Sequence, residues 1–398
     1  MTDLIRICAS FALIVVLLRL RWNLGVVMLL GAIFLGSLYL IGPVRQARVI
    51  LASSIDMVTV NLVTGLVLIM VMENIIRKKG VLKRMMEAVV NVVRDRRIAM
   101  AVLPGVIGLL PSAGGAAFSA PMVQEAAADV EMKPEHKAFI NYWFRHIWEY
   151  ISPLYPGIVL AAAVTKTPIN RLLLSQLPLP LAVIGVGAIL GFRGMRGQNV
   201  SGIRDMNEIK ALFVTLLPIT ISIVLVVVLK IPLAPAMMFV VIALFAFFRY
   251  PVKEVLTALR ESISMNVILM VIGIMVFTGM LDATGAIEAL PVFFGKSGLP
   301  TGLIFFILPF IVGLLTGLTV AFVGTTFPII TVMAGGSPDL GVITFAFASG
   351  FAGVMLSPSH LCLLLTIRYF NADMAGTYRL MYLPVFIVFT AGLIRLWV

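Results

Sequence analysis

Four short motifs place a hydroxyl side chain one or two residues before a proline inside long apolar stretches. The motifs are Ser119-Ala120-Pro121, Ser152-Pro153, Thr326-Phe327-Pro328 and Ser357-Pro358. A Ser or Thr just before a helix accepts a hydrogen bond from a free backbone N–H, and a proline in the first turn loses no intrahelical bond. Each motif therefore predicts a helix start. A helix that starts inside a membrane turns N–H groups and partial positive charge inward, which is the chemistry of an anion site.

Stretches 98–128 and 302–334 are apolar but too long for one membrane-spanning helix each. Breaks at 111–115 and 323–326 divide them, and an arm of about 13 residues reaches only about 20 Å into a hydrocarbon core of about 30 Å. We therefore predict two re-entrant hairpins with their tips near the membrane midplane. Non-helical backbone at that depth is tolerated only where protein or water pairs its N–H and C=O groups, so both tips are candidate sites.

The hairpin tips and two interrupted helices, broken at 152–157 and 357–360, supply the candidate binding residues. The candidates for contact with a substrate are Ser112, Ala113, Gly114, Gly115, Ser119, Ser152, Tyr155, Gly324, Thr325, Thr326, Ser357, Ser359 and His360. A coupling Na⁺ would bind hydroxyl and carbonyl oxygens at the same breaks. Its candidate ligands are Ser112, Gly114, Ser152, Thr325, Thr326 and Ser357. Cys8 and Cys362 lie in no Cys/His motif, so we expect no cofactor and no metal other than Na⁺.

Ionisable side chains inside the apolar stretches are few, and each is a functional candidate. Glu149 lies four residues after Arg145, so the two form either an ion pair on one helix face or, with His146, part of a proton-coupling site. His360 lies within a predicted break and either contacts substrate or a proton, or is a buried core histidine. No arginine lies near a predicted break, so a carboxylate substrate would be held by neutral donors and helix ends.

Composition and charge place these motifs in a membrane. Of the 398 residues, 61% are hydrophobic and 12% are charged, whereas soluble domains average about 45–50% and about 25%. Apolar spans recur along the whole chain, which leaves no sizeable soluble domain and excludes a soluble enzyme. Ten spans are predicted, at 4–20, 24–41, 57–76, 139–164, 172–191, 211–229, 231–248, 265–281, 340–367 and 381–397. The net charge of +12 then reflects membrane topology and not nucleic-acid binding.

An internal repeat is indicated by landmarks that recur at one constant offset of 205 in the numbering, which we call the repeat spacing. The pairs are Asn61 and Asn266, Gly80 and Gly285, the Gly-Leu-Leu sequences that begin at 108 and 313, and Ser152-Pro153 and Ser357-Pro358. Each half holds five spans and one hairpin, and the odd number of crossings inverts the second copy. The predicted repeats are 1–191, with the hairpin at 98–128 and the broken helix at 139–164, and 211–398, with those at 302–334 and 340–367. A polar cytoplasmic linker, 192–210, joins them.

The basic residues predict the orientation of the chain. With these spans, 22 of the 30 Lys and Arg residues fall on one side of the membrane. By the positive-inside rule that side is cytoplasmic, so we expect both termini outside the cytoplasm.

Residues 110–121, Leu-Pro-Ser-Ala-Gly-Gly-Ala-Ala-Phe-Ser-Ala-Pro, resemble the first hairpin of an uncharacterised family of prokaryotic integral membrane proteins grouped with the ion-transporter superfamily. Carriers of gluconate, lactate, citrate and dicarboxylates belong to that superfamily. The resemblance is weaker at 324–328. It implies a homodimer in the cytoplasmic (inner) membrane, with a scaffold of the first, second and fifth spans of each half and a moving elevator domain of hairpins and broken helices. The Ser-Asn-Thr tip of the sodium-coupled dicarboxylate branch is absent here.

The sequence thus predicts an all-α polytopic membrane protein that works as a secondary active transporter of a small organic anion, coupled to Na⁺ or H⁺. Its other partners would be membrane lipids. An anion channel, or a carrier of a lipid-linked or other solute, stays open as the alternative because it could use the same hairpins. An intramembrane enzyme is disfavoured, since adjacent Ser359 and His360 do not face each other on a helix and no GxSxG or HExxH motif occurs.

Overall fold

The computed structural model describes residues 2–93, 95–111, 115–128, 130–193, 195, 206–285, 300–336 and 338–397. Within these ranges every regular element is a helix. Five are long and apolar enough to cross a membrane, and several shorter apolar helices accompany them. The long helices are Met57–Lys78, Ile169–Gly191, Met206–Val228, Met265–Ala283 and Met374–Ile394. The chain is therefore a helical membrane protein.

The first half of the chain contains helices α1 to α11. They are α1 (Thr2–Arg19), α2 (Leu24–Leu38), α3 (Pro43–Ile55), α4 (Met57–Lys78), α5 (Val81–Val92), α6 (Arg96–Ile107), α7 (Gly115–Ala126), α8 (Pro134–Arg145), α9 (Pro156–Val164), α10 (Ile169–Gln176) and α11 (Pro178–Gly191). A short 3₁₀ helix, Ile147–Tyr150, lies between α8 and α9.

The described part of the second half contains helices α12 to α20. They are α12 (Met206–Ile223), which continues as a π-helix over Val224–Val228, α13 (Leu233–Phe247), α14 (Val252–Ser262), α15 (Met265–Ala283), α16 (Thr301–Thr316), α17 (Thr319–Met333), α18 (Leu340–Met355), α19 (Leu361–Phe370) and α20 (Met374–Ile394). Helices α6, α9 and α10 begin at 96, 156 and 169, and α16, α19 and α20 begin at 301, 361 and 374. Each of these starts thus recurs at the repeat spacing.

The second hairpin turns at Gly317 and Leu318, not at the predicted break of 323–326. Helix α16 ends at Thr316, and Gly317 has a left-handed backbone with φ of 64°. Glycine adopts this conformation without the steric cost that other residues meet, so it ends the helix sharply. The position follows from the repeat, because 111–115 shifted by the repeat spacing gives 316–320.

The predicted break at 323–326 is wrong because α17 runs unbroken from Thr319 to Met333. The hydroxyls of Thr325 and Thr326 donate to the carbonyl oxygens of Ala321 and Phe322, both at 2.7 Å, and so stay within the helix. Gly324 has a packing role instead, since a Cβ there would lie 2.3 Å from Ile274 of α15. Its lack of a side chain lets α17 approach α15 closely.

Two of the four hydroxyl–proline motifs also lie inside helices and do not start them. Pro121 lies within α7, and Pro328 within α17. Ser119 is buried and its hydroxyl donates to the carbonyl oxygen of Ala116 at 3.3 Å. The motifs at 152–153 and 357–358 do precede helices, α9 and α19, by a few residues. Since a Ser or Thr side chain can bond to its own helix, hydroxyl–proline spacing alone does not specify a start.

Helices from the two halves pack across each other in one part of the molecule, which we call the cross-packed body (α1–α4 and α12–α15). Helix α2 packs against α15, and α13 packs against α4. Glycines allow both contacts. A Cβ on Gly25 of α2 would lie 2.3 Å from the backbone of Leu269, and one on Gly65 of α4 would lie 2.6 Å from the side chain of Leu233.

Two asparagines related by the repeat form hydrogen bonds across this body. Asn266 accepts a hydrogen bond from the side chain of Asn23, the N-cap of α2, at 3.0 Å. Asn61 accepts one from the backbone N–H of Ala234, in the first turn of α13, at 3.0 Å. Each asparagine therefore supports the start of a helix from the opposite half of the chain.

The hairpins and interrupted helices form a second part, which we call the hairpin body (α6–α11 and α16–α20). Helix α6 packs against α8, and α16 packs against α18. The fifth spans, α10–α11 and α20, belong here too, because α11 packs on α8 and α20 on both α8 and α18. The resemblance implied that the fifth spans belong to the scaffold. The observed packing differs, because the fifth spans cover the broken helices of the hairpin body.

Three short helices, α3, α5 and α14, were not predicted because each carries a polar face and is too short to span a membrane. Two ion pairs connect this region across the halves. The Nη1 atom of Arg84 in α5 lies 2.8 Å from the Oε2 atom of Glu208 in α12. The side chain of Lys78 in α4 pairs with that of Glu261 in α14. The hydrogen bond from Lys78 holds the pKa of the Glu261 carboxyl below its ordinary value.

Candidate functional site

The tip of the second hairpin lies against both interrupted helices. The Nδ1 atom of His360, at the end of the second interruption, donates to the carbonyl oxygen of Gly317 at 2.8 Å. The hydroxyl of Thr319 donates to the Oε2 atom of Glu149, in the first interruption, at 2.9 Å. Backbone breaks from both halves of the chain therefore meet at one place.

Close backbone contacts fix this meeting point. A Cβ on Gly317 would lie 2.9 Å from the Cα of His360, and a Cβ on Gly157 would lie 2.5 Å from the Cγ2 of Thr319. Side chains larger than hydrogen would separate the hairpin tip from both interrupted helices. Helices α9, α17 and α19 begin here, so the partial positive charge of their first turns is concentrated around the site.

The first interruption begins earlier than the sequence predicts. Helix α8 ends at Arg145, and the chain is irregular from His146 until α9 begins at Pro156, apart from the 3₁₀ turn. Arg145 is 2% exposed and lies within electrostatic range of Glu149. The expectation that no arginine lies near a break was wrong, because the break starts at the residue after Arg145.

Two histidines face each other between the interruptions. The Nε2 atoms of His146 and His360 lie 3.1 Å apart, and both side chains are buried. The Nδ1 atom of His146 donates to the carbonyl oxygen of Tyr142 at 2.6 Å. The Nε2 atom of His146 also lies 3.7 Å from the Oε1 atom of Glu149.

The predicted residues of the first interruption connect it to the first hairpin. The hydroxyl of Tyr155 donates to the carbonyl oxygen of Gly108, at the end of α6, at 2.5 Å. The hydroxyl of Ser152 accepts a hydrogen bond from the backbone N–H of Leu154 at 3.3 Å and stabilises the turn before α9. Gly115 is the first residue of α7 and is buried. The rest of the predicted tip, Ser112, Ala113 and Gly114, lies outside the described residues.

The predicted residues of the second interruption lie beside the second hairpin tip. The hydroxyl of Ser357 accepts a hydrogen bond from the backbone N–H of Ser359 at 3.3 Å. The hydroxyl of Ser359 donates to the carbonyl oxygen of Leu315, near the end of α16, at 3.3 Å. Ser359 and Leu318 are exposed, whereas Ser357 is buried. This side of the site therefore lies at the surface of the chain.

The structure brings some predicted residues together and leaves others out. Ser152, Tyr155, Ser357, Ser359 and His360 lie in or beside the meeting point. Gly115 begins α7 at the first hairpin tip. The remaining described candidates, which are buried inside helices away from the breaks, are Ser119, Gly324, Thr325 and Thr326.

Residues that the sequence did not single out also line the site. Gly317 and Thr319 could have been found by shifting the first tip by the repeat spacing. Cys362 has no such signal: it lies two residues from His360, but its buried sulfur lies near the ring of His146 only because the two halves fold together.

Fold and site together define a class: a helical membrane protein with interrupted helices that meet in its interior. The family model described as "Protein of unknown function (DUF401)" matches residues 4–398. The chain belongs to that family. A search of the curated proteins found no match.

Proposed function

We propose that the protein is a secondary active transporter that moves a small organic anion by alternating access, coupled to Na⁺ or H⁺. The observation that carries this proposal is the contact of the second hairpin tip with both interrupted helices, through His360 and Gly317 at 2.8 Å and Thr319 and Glu149 at 2.9 Å. Transporters commonly build substrate and ion sites from discontinuous helices that meet near the membrane midplane.

The recurrence of helix starts at the repeat spacing supports a duplicated unit. With five spans and one hairpin in each half, the second unit would enter the membrane in the opposite sense. Inverted repeats of this kind offer two equivalent arrangements of one site, facing either side of the membrane. Both termini would then lie outside the cytoplasm.

We infer that the hairpin body moves against the cross-packed body. Helices α9 and α17 of the hairpin body contact α15 of the cross-packed body, and the lack of a side chain at Gly324 lets α17 lie close to α15. A cleft of about 430 Å³ between the bodies is lined by Asp56, Lys166 and Asp282, among others. Such a charged cleft would admit water to the boundary along which the bodies slide.

Charge at the meeting point favours an anionic substrate. Three helix starts contribute partial positive charge, and the buried guanidinium of Arg145 adds a full one. Glu149 provides one negative charge, which leaves the site positive. A Na⁺ would bind carbonyl and hydroxyl oxygens around Ser152 and Ser357, whereas a coupling proton would bind Glu149. The close packing of buried residues around the site favours a small carboxylate.

The resemblance of residues 110–121 supports placing the chain in the ion-transporter superfamily, in the cytoplasmic membrane of a prokaryote. It also supports a homodimer surrounded by lipid. These assignments form part of the proposal.

The test is uptake of a panel of radiolabelled organic acids by proteoliposomes, with Na⁺ and H⁺ gradients imposed separately. The proposal expects saturable accumulation of at least one acid that depends on one of the two gradients. A conductance far above about 10³ ions per second, the upper range of ordinary turnover, would instead identify an anion channel. Absence of uptake for every acid under both gradients would reject the proposed substrate class.

A further inference from the structure

The two buried histidines at the site have a fixed arrangement of protons. Carbonyl oxygens only accept hydrogen bonds, so the Nδ1 atoms of His146 and His360 must each carry the proton that they donate to Tyr142 and Gly317. In a neutral imidazole the other nitrogen then has a bare lone pair. The two Nε2 lone pairs therefore face each other across 3.1 Å.

Two facing lone pairs repel each other unless a cation lies between them. This arrangement, with Nδ1–H bonded to a backbone carbonyl and Nε2 free, is also how proteins orient histidines that bind metals. Two imidazole nitrogens on one tetrahedral Zn²⁺, at about 2.0–2.1 Å each, lie about 3.3 Å apart. The observed 3.1 Å is close to that separation.

A third ligand distinguishes a metal from a proton. The sulfur of Cys362 and ring nitrogens of His146 and His360 all lie within 4.8 Å of one another, and all three residues are buried. A shared proton needs no thiol, whereas thiolate sulfur and imidazole nitrogen are both ligands that Zn²⁺ and similar transition metals take in proteins. The Oε1 atom of Glu149 lies 3.7 Å from the Nε2 atom of His146, beside this group of three residues but not part of it.

The surrounding charges can accommodate a divalent ion. The ionised thiolate of Cys362 and the carboxylate of Glu149 together offset its charge, and the guanidinium of Arg145 lies within electrostatic range of both. The charge of the Arg145 guanidinium is then not offset, so the site stays positive at the place where three helices begin. A positive site suits the proposed anionic substrate.

We propose that His146, His360 and Cys362 bind one transition-metal ion of the Zn²⁺ class, which joins the first and second interruptions. The metal site shares His360 with the proposed transport site, but failure of one proposal is distinguishable from failure of the other because metal binding is measured without transport. The sequence did not predict it: His146 and His360 are 214 residues apart.

The experiment measures binding of Zn²⁺ and Co²⁺ to the purified full-length protein in detergent, by equilibrium dialysis and absorption spectroscopy. We expect one Zn²⁺ per chain, and a thiolate-to-cobalt charge-transfer band with Co²⁺. Cys362→Ser changes one atom and should fold. It should abolish the band and weaken Zn²⁺ binding by more than about 100-fold, beyond the usual 10–100-fold cost of losing a residue that only orients a metal ligand. His146→Gln and His360→Gln should weaken binding similarly.

The chain provides matched controls, since it has only two cysteines and three histidines. Cys8→Ser and His136→Gln should bind both metals like the wild type. Wild-type protein that binds no more Zn²⁺ than Cys362→Ser, or a charge-transfer band that persists in Cys362→Ser, would overturn the site. Nitrogen-15 NMR that shows one proton shared by the histidine pair in protein saturated with Zn²⁺ would assign the pair to a proton and equally overturn the proposal.

Discussion

Gly108 and Gly313 make the same close contact in the two halves of the chain. A Cβ on Gly108 would lie 2.1 Å from the carbonyl oxygen of Arg145, and one on Gly313 would lie 2.1 Å from that of Gly350. The two glycines are related by the repeat spacing, and so are the two carbonyl residues. One arm of each hairpin therefore contacts a broken helix in the same way, which supports the proposed duplication.

Alanine at either glycine should destabilise the protein strongly. The methyl group of Gly108→Ala or Gly313→Ala would overlap a backbone carbonyl, and overpacking of this kind costs about 1–3 kcal/mol or more. The measurement is thermal unfolding in detergent. Gly105→Ala, three residues before Gly108 and within α6, is the control, because its methyl group would lie 3.6 Å from the nearest atom. Equal stability of Gly105→Ala and Gly108→Ala would contradict the close contact.

Gly317→Ala should displace the second hairpin tip. The substitution combines a left-handed backbone, which costs a residue with a side chain about 1–2 kcal/mol, with a Cβ that would lie 2.9 Å from the backbone of His360. Gly335→Ala is the control, since Gly335 has a φ of 78° and a Cβ there would have nothing within 4 Å. We expect Gly317→Ala to lose both uptake and stability, and Gly335→Ala to lose only stability. An equal loss of uptake in both variants would contradict the account that the close contact of Gly317 with His360 is needed for transport.

Removal of either cross-body asparagine should weaken the start of a helix in the other half. Asn61→Ala removes the acceptor for the N–H of Ala234, and Asn266→Ala removes the partner of Asn23. Loss of a helix-capping bond costs about 0.5–2 kcal/mol. Hydrogen exchange, which reports local unfolding, should be faster at the start of α13 in Asn61→Ala than in the wild type. Faster exchange confined to α4 itself would contradict this account.

Asp95 should make stability depend on pH. The side-chain hydrogen bond from Arg97 lowers the pKa of the Asp95 carboxyl, and Asp95 also caps α6. A carboxyl whose pKa is lower in the folded state stabilises the protein above its unfolded pKa of about 3.9. That contribution falls as the pH falls through the folded pKa. Asp95→Asn keeps a capping side chain and should show less loss of thermal stability under acid conditions than the wild type. An identical acid profile for both proteins would refute the prediction.

The sequence predicted the second interruption better than the second hairpin tip. Ser357 and His360 lie where a proline and consecutive polar residues disfavour a continuous helix, and the break was placed correctly. The second tip was missed because Thr325 and Thr326 look like turn residues, yet their hydroxyls bond within α17. One glycine, Gly317, makes the actual turn.

The start of the first interruption and the third metal ligand were beyond sequence reasoning for different reasons. Residues 147–150 have the composition of an ordinary helix but form a 3₁₀ turn, against which α8, α9 and α11 pack. Cys362 lies near His146 only because the two halves pack together. No local sequence pattern predicts a contact between residues so far apart in the chain.

The proposed transport site is tested most directly by uptake of the identified anion by Thr319→Val and Thr326→Val in proteoliposomes. Both substitutions keep side-chain shape and remove one hydroxyl, but only Thr319 bonds to Glu149 at the meeting point. A hydrogen bond to a charged group contributes about 1.5–3 kcal/mol, so Thr319→Val should reduce uptake by about 10-fold or more, while Thr326→Val stays within about 2-fold of wild type. Wild-type uptake by Thr319→Val would contradict the assignment of transport to this site.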